Sequence, residues 1–338
     1  MDTRLIPSTL RRRTAILGLA AAPWTPGWAQ SGGRAPIKAA GVYTVPFEQQ
    51  WVSRVHQAMQ TARQRGAIQY KGIENIPAHR YADTVRKQAE QGYKLIIGEA
   101  FEAEEAVRKV AAEFPGTAIV MGSSGKLQAP NFSVFDNYIH EPSYLAGMLA
   151  GGMTRSNHIG LLGGMAIPEV NRLMNAFIDG AREVNPRARF STGVINSWLN
   201  QPRARQMTMA MVDQGVDAMF AATMAGVIET AAERNILAFG NIIHPQPQYP
   251  NTVVASALWH MEPTVDAVIA AVQAGTYQAR DLASLSFMRA KGASLSPLGT
   301  FERKVAPELL QRVRAKEADI LSGRFVVPIK DEIELTLR

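Results

Sequence analysis

The sequence predicts an α/β fold with parallel sheets, divided into two domains. Short apolar runs alternate with amphipathic helical segments almost throughout the chain. Strands that alternate with helices of this length form parallel sheets through right-handed crossovers. The chain has 338 residues, and a single hydrophobic core usually divides beyond roughly 250–300 residues. It has no cysteine, so we expect neither disulfide bonds nor thiolate metal sites.

Apolar runs of strand length account for the predicted sheets, and turn residues or helical segments bound each run. The predicted strands are residues 37–43, 68–73, 94–98, 117–122, 158–162, 191–196, 218–221, 237–240 and 252–257. Their order suggests a first lobe that begins near residue 36 and a second lobe that begins near residue 137. The pattern alone also allows one larger doubly wound sheet.

Amphipathic spacing identifies the helices between these strands. Apolar residues three or four apart form one face of residues 103–114, and the same spacing recurs at residues 167–181 and 227–232. Pro168 suits a first helical turn. Two further helices are predicted at the end of the chain, near residues 261–275 and over residues 307–322.

Residues 1–29 have the composition of an export signal. Three arginines at residues 11–13 precede a short apolar run at residues 14–22, and cleavage is predicted after Ala29. The run is too short to span a bilayer, which requires ~20 apolar residues. Paired arginines favour the twin-arginine route, with general secretion and a cytosolic chain with a basic tail as the alternatives. We therefore expect a periplasmic protein without stable membrane insertion.

The formal net charge of +7 does not indicate a nucleic-acid-binding protein. Residues 1–29 account for +3 of this charge, and the other lysines and arginines are spread along helices among glutamates. The sequence has no basic block with interleaved aromatic residues. Solvated helix faces account for the charge, and nucleic acid is not an expected partner.

No sequence pattern typical of an enzyme or a metalloprotein is present. The phosphate-loop pattern fails around Gly125 because its first glycine and its Ser or Thr are missing. Neither G-x-S-x-G nor H-E-x-x-H occurs, and the six histidines lack metal-ligand spacing. We therefore expect no catalytic residue, no cofactor and no metal. An exported α/β hydrolase or lyase is a disfavoured alternative.

The stretch from Tyr144 to Pro186 resembles a known family. YLAG is followed by T-x-S-N-x-I-G, then by IPEV, then by NAFIDGAREVNP. In this order the elements resemble the BMP (basic membrane protein) family, the purine-nucleoside-type solute-binding proteins of ABC importers. The resemblance implies the type I periplasmic binding fold, in which a hinge of three chain crossings joins two doubly wound parallel-sheet lobes. It also implies a monomer that binds a small molecule and delivers it to an ABC permease.

This fold gives a prediction for the lobe boundaries. We expect residues 36–136 and about 244–284 to form the N-terminal lobe. Residues 137–243 and about 285–338 are expected to form the C-terminal lobe. The same fold also serves sensory modules, so a periplasmic protein that presents its closed form to a receptor kinase or chemoreceptor is the alternative function. Neighbouring genes for a permease and an ATPase would favour transport.

The loops that follow the strands supply the candidate binding residues. In open α/β sheets, ligands bind beyond the carboxyl ends of the strands, where helix N-termini offer free N–H groups. A planar heteroaromatic ligand needs aromatic faces to stack on and polar groups at its edge. Trp51 also suits a core position under its own helix. The candidates from these loops are Phe47, Trp51, Glu99, Ser123, Thr223 and Met224.

Trp198 and Asn241 become candidates through the resemblance. The N-S-W sequence ending at Trp198 is similar to a family element whose tryptophan lies near the ligand cleft, where it would oppose Phe47 and Trp51. Asn241 lies in the sequence GNIIH, where family members commonly have two acidic residues, and Asn200 also replaces an acidic residue. Carboxylates are natural partners of ribose hydroxyls. The expected ligand is therefore a purine nucleoside, a purine base or another small flat neutral compound.

Overall fold

The computed structural model describes residues 35–336, except residues 124, 224, 225 and 334. The predicted export signal and Met224 therefore lie outside the described residues. The strands are β1 (Ile37–Val42), β2 (Ile68–Ile73), β3 (Leu95–Glu99), β4 (Ala118–Gly122), β5 (Phe132–Phe135), β6 (His158–Gly163), β7 (Arg189–Val194), β8 (Ala218–Ala221), β9 (Leu237–Ile242), β10 (Val253–Trp259) and β11 (Ala293–Leu295). The helices are α1 (Gln50–Gln64), α2 (Ala78–Glu90), α3 (Glu104–Glu113), α4 (His140–Met153), α5 (Pro168–Val184), α6 (Gln201–Asp213), α7 (Val227–Glu233), α8 (Glu262–Gln273) and α9 (Pro307–Ser322).

The first lobe is built on a five-stranded sheet with the strand order β2-β1-β3-β4-β5, in which every pair is parallel. The residues of β3 and β4 are all buried, because helices cover both faces. Strand β5 was not predicted. Its four residues continue the sheet beside β4 and lead directly into the first crossing to the second lobe.

The second lobe is built on a six-stranded sheet with the strand order β11-β10-β9-β8-β6-β7. All pairs are parallel except β10 with β11, a three-residue strand that was not predicted. Helices α4 and α5 pack closely, and a β-carbon at Gly180 would collide with the carbonyl oxygen of Tyr144. The predicted α/β architecture with two parallel-sheet lobes is confirmed.

The position of the second crossing differs from the predicted boundary near residue 244. Strand β10 pairs with β9 in the second sheet, so the chain stays in that lobe as far as Trp259. Helix α8 then contacts α1 of the first lobe. Residues 279 and 282 bond to the backbone of Pro130 and Val134 beside β5. The third crossing lies between these residues and β11.

A hydrogen-bond chain joins all three crossings. The indole Nε1 of Trp259, at the second crossing, donates to Ser286 Oγ (3.2 Å), which lies in the third. Ser286 Oγ in turn donates to the backbone oxygen of Asp136 (2.6 Å), in the first. These residues are buried, so each hydrogen bond replaces the bonds to water that the polar group loses on folding. The three connecting segments therefore form one hinge.

The C-terminal segment covers the outer strand of the second sheet. The backbone N–H of Thr336 donates to the carbonyl oxygen of Thr192 in β7 (2.9 Å), and the N–H of Thr192 donates to Thr336 Oγ1 (2.8 Å). Nearer to α5, Asn171 Nδ2 donates to the carbonyl oxygen of Asp331 (2.8 Å). In the described part of the chain, no helix combines the length and apolar character needed to cross a bilayer.

Candidate ligand-binding cleft

A cavity lies between the lobes at the carboxyl ends of the strands. About 590 Å³ of it is free of protein atoms, and part of this space opens to solvent. Its wall consists of Thr44, Val45, Gln49, Gln50, Trp51, Val52, Glu99, Phe101, Asn137, Glu169, Val170, Leu173, Trp198, Ala222, Asn241 and Ile242.

Trp51 forms part of the wall of the first lobe. Gln49 caps helix α1, because its Oε1 accepts hydrogen bonds from the backbone N–H groups of Trp51 and Val52. This cap fixes Trp51 in the first turn. Its ring stacks on Phe135, with centroids 5.5 Å apart and planes 18° apart, and is 94% buried. Trp51 is therefore both a core residue and a wall of the cavity.

Trp198 supplies the aromatic surface of the second lobe. It follows Asn196, whose φ of 53° turns the chain after β7. The indole packs against Gly164, where a β-carbon would lie only 2.5 Å from a ring atom. Across the cleft, Phe101 is 49% exposed, with its ring centroid 6.5 Å from that of Trp51. The two lobes thus present aromatic side chains to one space.

Glu99 places a buried carboxyl group in the wall at the end of β3. Its Oε1 accepts hydrogen bonds from both the backbone N–H and the Oγ1 of Thr44, each 2.6 Å long. The side chain is only 3% exposed. Burial raises the pKa of Glu99 to about 7, and the Thr44 bonds oppose this shift.

The end of β9 brings Asn241 and Ile242 into the wall. Asn241 Nδ2 donates to the backbone oxygen of Ala222 (3.3 Å), which orients the amide. Ile242 has a φ of +67°, and the N–H of Ile243 donates to the carbonyl oxygen of Asn241 (2.7 Å). Positive φ is strained for a β-branched residue, and such strain clusters at functional sites.

Asn137 and Glu169 border the cavity where the first crossing meets α5. Burial, and then the neighbouring Asp136 carboxylate, raise the pKa of Glu169 well above its ordinary value. Asp136 itself pairs with Arg172, with Oδ2 and a guanidinium nitrogen 3.1 Å apart. The Arg172 guanidinium also lies over the ring of Tyr138, 3.8 Å from its centroid. The cavity therefore borders a buried ion pair of the hinge.

Five buried polar atoms on side chains that line the cavity have no hydrogen-bond partner among the described residues. Buried polar groups in proteins are nearly always hydrogen-bonded, so such a concentration needs an explanation. Four of the atoms are oxygens and one is an N–H donor. They are Gln50 Oε1, Trp51 Nε1, Glu99 Oε2, Asn137 Oδ1 and Asn241 Oδ1.

The predicted binding residues that the structure describes divide into three groups. The cavity wall contains Trp51, Glu99, Trp198 and Asn241, whereas Thr223 lines an adjoining pocket that shares Trp198. Two other candidates lie outside the wall, as described next.

Phe47 stacks on His56, with ring centroids 3.9 Å apart, and so faces the helix that follows it. Ser123 Oγ donates to Glu104 Oε2 (2.5 Å) and accepts from the N–H of Gly125 (2.8 Å). Both side chains therefore contact local partners, whereas their positions after strands predicted that they would contact a ligand.

The sequence analysis did not select Asn137 or Gln50. Asn137 lies two residues after the end of β5, a strand that the sequence did not predict. Gln50 is the first residue of α1 and directly precedes Trp51. An apolar tetrapeptide, FSVF, followed by Asp and Asn is the signal that could have identified Asn137.

The family model for PnrA-like ABC transporter substrate-binding proteins, Bmp, matches residues 47–280. The chain belongs to this family. The family comprises solute-binding proteins and not enzymes, so the expectation of no catalytic activity is confirmed. As an ABC transporter substrate-binding protein, the chain has a small-molecule ligand and a permease partner, and proteins of this kind act in the periplasm or outside the cell.

Several characterised sequences are similar to this family member. A purine-binding protein of Brucella abortus is 27% identical, covering 77% of this chain and 74% of that protein. A protein of Haloferax volcanii, provisionally named an ABC transporter glucose-binding protein, is 28% identical, covering 79% of this chain and 68% of that one.

Solved structures show the same fold. A solute-binding protein of Aeropyrum pernix has a TM-score of 0.72 at 16% identity, covering 87% of this chain and 94% of that one. One from Conexibacter woesei has a TM-score of 0.69 at 19% identity, covering 87% and 99%. The type I periplasmic binding fold is therefore confirmed for this Bmp-family chain.

Proposed function

We propose that this chain binds a purine nucleoside, a purine base or a similar small flat compound and delivers it to the permease of an ABC importer. The ligand lies between the lobes, the lobes close on it about the three-crossing hinge, and the closed form docks on the permease. The purine-binding relative in Brucella abortus supports this ligand class. The export of the chain, with cleavage near Ala29, stays a prediction of the sequence.

One observation carries the proposal: the cavity combines aromatic walls with unpartnered polar atoms. Trp51 and Phe101 of the first lobe and Trp198 of the second place aromatic side chains in the cavity wall, where we expect a flat ligand to stack. Stacking of a base on an aromatic side chain contributes about 1–3 kcal/mol. The five unpartnered polar atoms would form hydrogen bonds with the ligand's edge. A purine has two π faces and a polar rim, which matches both features.

Glucose is the comparison ligand, because the Haloferax volcanii relative carries it in its name. Sugars also pack on aromatic rings and donate hydrogen bonds to side-chain oxygens. Calorimetric titration of adenine, guanine, adenosine, guanosine and glucose into the purified protein separates the two classes. We expect saturable binding of at least one purine and none of glucose. Glucose binding without purine binding would overturn the proposal.

Trp198→Ala tests the stacking wall. We expect the variant to bind purine about 5- to 150-fold more weakly, which corresponds to the loss of about 1–3 kcal/mol of stacking. Phe190→Ala is the control, because Phe190 is also half-buried but lies at the opposite end of β7. Purine should quench the tryptophan fluorescence of the parent. If Trp198→Ala binds purine as tightly as the parent, the assignment of Trp198 as a stacking surface for the ligand is wrong.

A further inference from the structure

Two oxygen atoms of cavity-lining side chains, one on each lobe, are identified as hydrogen-bond acceptors by the contacts of the neighbouring atom. In Glu99, Oε1 accepts both hydrogen bonds of Thr44, which leaves Oε2 without a partner in the described part of the chain. Oε2 acts as an acceptor when the carboxyl group is ionised, above its pKa of about 7. In Asn241, Nδ2 donates to the carbonyl oxygen of Ala222, so the unpartnered atom is Oδ1. A flipped amide would bring Oδ1 against that carbonyl oxygen and is excluded by repulsion.

The charged residues of the cavity wall also favour a ligand that donates hydrogen bonds. Among the described residues that line the cavity, none is a lysine or an arginine, and two are glutamates, Glu99 and Glu169. An anionic ligand would lose its hydration without gaining a cationic partner. The cavity therefore suits an uncharged ligand that is rich in N–H or O–H donors.

We propose that Glu99 and Asn241 select purines that carry an exocyclic amino group. This inference rests on the proposed purine-binding function and narrows it. Guanine and hypoxanthine differ by a single amino group, which supplies two N–H donors to an otherwise identical ring. A site built to bond an N–H group discriminates strongly against the analogue that lacks it, because the buried acceptors then stay unpaired. Because the two oxygens lie on opposite lobes, the same contacts would favour closure.

Glu99→Gln exchanges the acceptor for a donor. The two Thr44 donors require an oxygen at the position of Oε1, so the new amide nitrogen must take the position of Oε2. The variant keeps the shape of the side chain and inverts the hydrogen-bond polarity of one wall atom. Glu102→Gln is the matched control, because Glu102 is exposed three residues further along and lies outside the cavity wall.

The experiment is calorimetric titration of two ligand pairs, guanine with hypoxanthine and guanosine with inosine, at about pH 8, where the Glu99 carboxyl group is ionised. In the parent and in Glu102→Gln we expect the amino-bearing member to bind at least about tenfold more tightly, the effect of roughly one hydrogen bond to a buried group. In Glu99→Gln we expect the ratio to fall to about one or to invert. Asn241→Leu, which removes the second acceptor, should also lower the ratio and provides an independent test if Glu99→Gln fails to fold.

The outcomes separate this inference from the proposed function. If purines bind but the two members of each pair bind equally, the selection by Glu99 and Asn241 is overturned and purine binding stands. The same conclusion follows if the ratio in both variants equals that of the parent. If none of the four compounds binds, and adenine and adenosine do not bind either, the proposed function fails, and the inference fails with it. A further titration uses guanosine 5′-monophosphate, which is anionic. If it binds as tightly as guanosine, the conclusion that the cavity suits an uncharged ligand is wrong.

Discussion

Gly164 leaves the space in which the indole of Trp198 packs. A β-carbon at Gly164 would lie 2.5 and 2.6 Å from two atoms of that ring, closer than real β-carbons approach any neighbour. The position of this aromatic wall therefore depends on the absence of a side chain in the turn after β6. The glycine turn and the tryptophan lie far apart in the sequence but act as one unit in the cleft.

Gly164→Ala should displace Trp198 and weaken ligand binding. We expect a loss of about 0.5–1.5 kcal/mol of aromatic contact energy, or roughly a 2- to 13-fold higher Kd, measured by titration with the best-binding purine. Gly116→Ala is the control, because a β-carbon at Gly116 would have no neighbour within 4 Å. If Gly164→Ala and the parent bind the purine with equal affinity, ligand binding does not depend on the packing of the indole against Gly164.

Glu99 should make the stability of the protein depend on pH. Burial raises its pKa from an ordinary value of 4.5 to about 7, so between these values the folded state binds more protons than the unfolded state. Stability from this group is therefore lost as the pH rises from 4.5 through 7. Glu99→Gln lacks this titration. As the pH rises from 5 to 8, its unfolding free energy should therefore increase by up to about 3 kcal/mol relative to that of the parent.

Denaturant unfolding at pH 5, 6, 7 and 8 measures this difference. Tyr43 and Tyr81 lie near Glu99, and burial raises their pKa values well above the ordinary value, so both stay neutral over this range. Glu102→Gln, on the exposed surface, should show no such trend. A constant difference between Glu99→Gln and the parent at all four pH values would refute the assignment.

Arg172 should be the most costly charged residue to replace. It is only 1% exposed and pairs with the buried Asp136 and with Asp331. Arg172→Met leaves the carboxylate of Asp136 buried without its cation, which should cost about 3–5 kcal/mol of unfolding free energy. Unfolding of Arg205→Met gives the control, because Arg205 and Glu233 are both about half exposed and such surface pairs contribute little to stability.

The cost of Arg172→Met should fall at low pH. Burial already raises the pKa of Asp136, and Arg172 opposes that shift, so removing the arginine raises the pKa further. A protonated Asp136 no longer needs a cation. The unfolding free energy of the variant should therefore approach that of the parent as the pH falls towards 4, and a deficit that stays constant would contradict this account.

Ser286→Ala should weaken the hinge. The substitution removes the acceptor of Trp259 Nε1 and the donor to the Asp136 carbonyl oxygen, both of which are buried. Leaving buried polar groups unpaired costs about 1–3 kcal/mol each. We expect a lower melting temperature and a changed scattering profile without ligand, whereas the exposed Ser284→Ala should match the parent. Identical melting curves for Ser286→Ala and the parent would show that Ser286 does not stabilise the hinge.

The alternating pattern of the sequence predicted most of the fold. The strand at residues 68–73 and the helix at residues 307–322 have the predicted limits, since apolar periodicity and flanking turns are local signals. Strands β5 and β11 are only four and three residues long, too short for a periodicity to develop. The lobe that contains β10 depends on pairing with β9, a non-local contact that no local pattern encodes.

The site was less predictable than the fold. Strand ends indicated where Glu99 and Trp198 would lie, because parallel sheets place their carboxyl ends together. Whether a side chain at such an end faces the cavity depends on its neighbours. Phe47 stacks on His56, whereas Trp51 lines the cavity while it stacks on Phe135. Such packing preferences arise from tertiary contacts that the sequence pattern does not specify.

The pairing of Thr336 with Thr192 has a consequence for the behaviour of the protein in concentrated solution. An outermost strand with free backbone groups is a template on which a second polypeptide can add, and aggregation often starts there. Through these bonds residue 336 occupies the backbone groups of Thr192 on the outer strand of the larger sheet. A polypeptide shortened before residue 336 would expose those groups, so we expect it to aggregate more readily than the parent at high protein concentration.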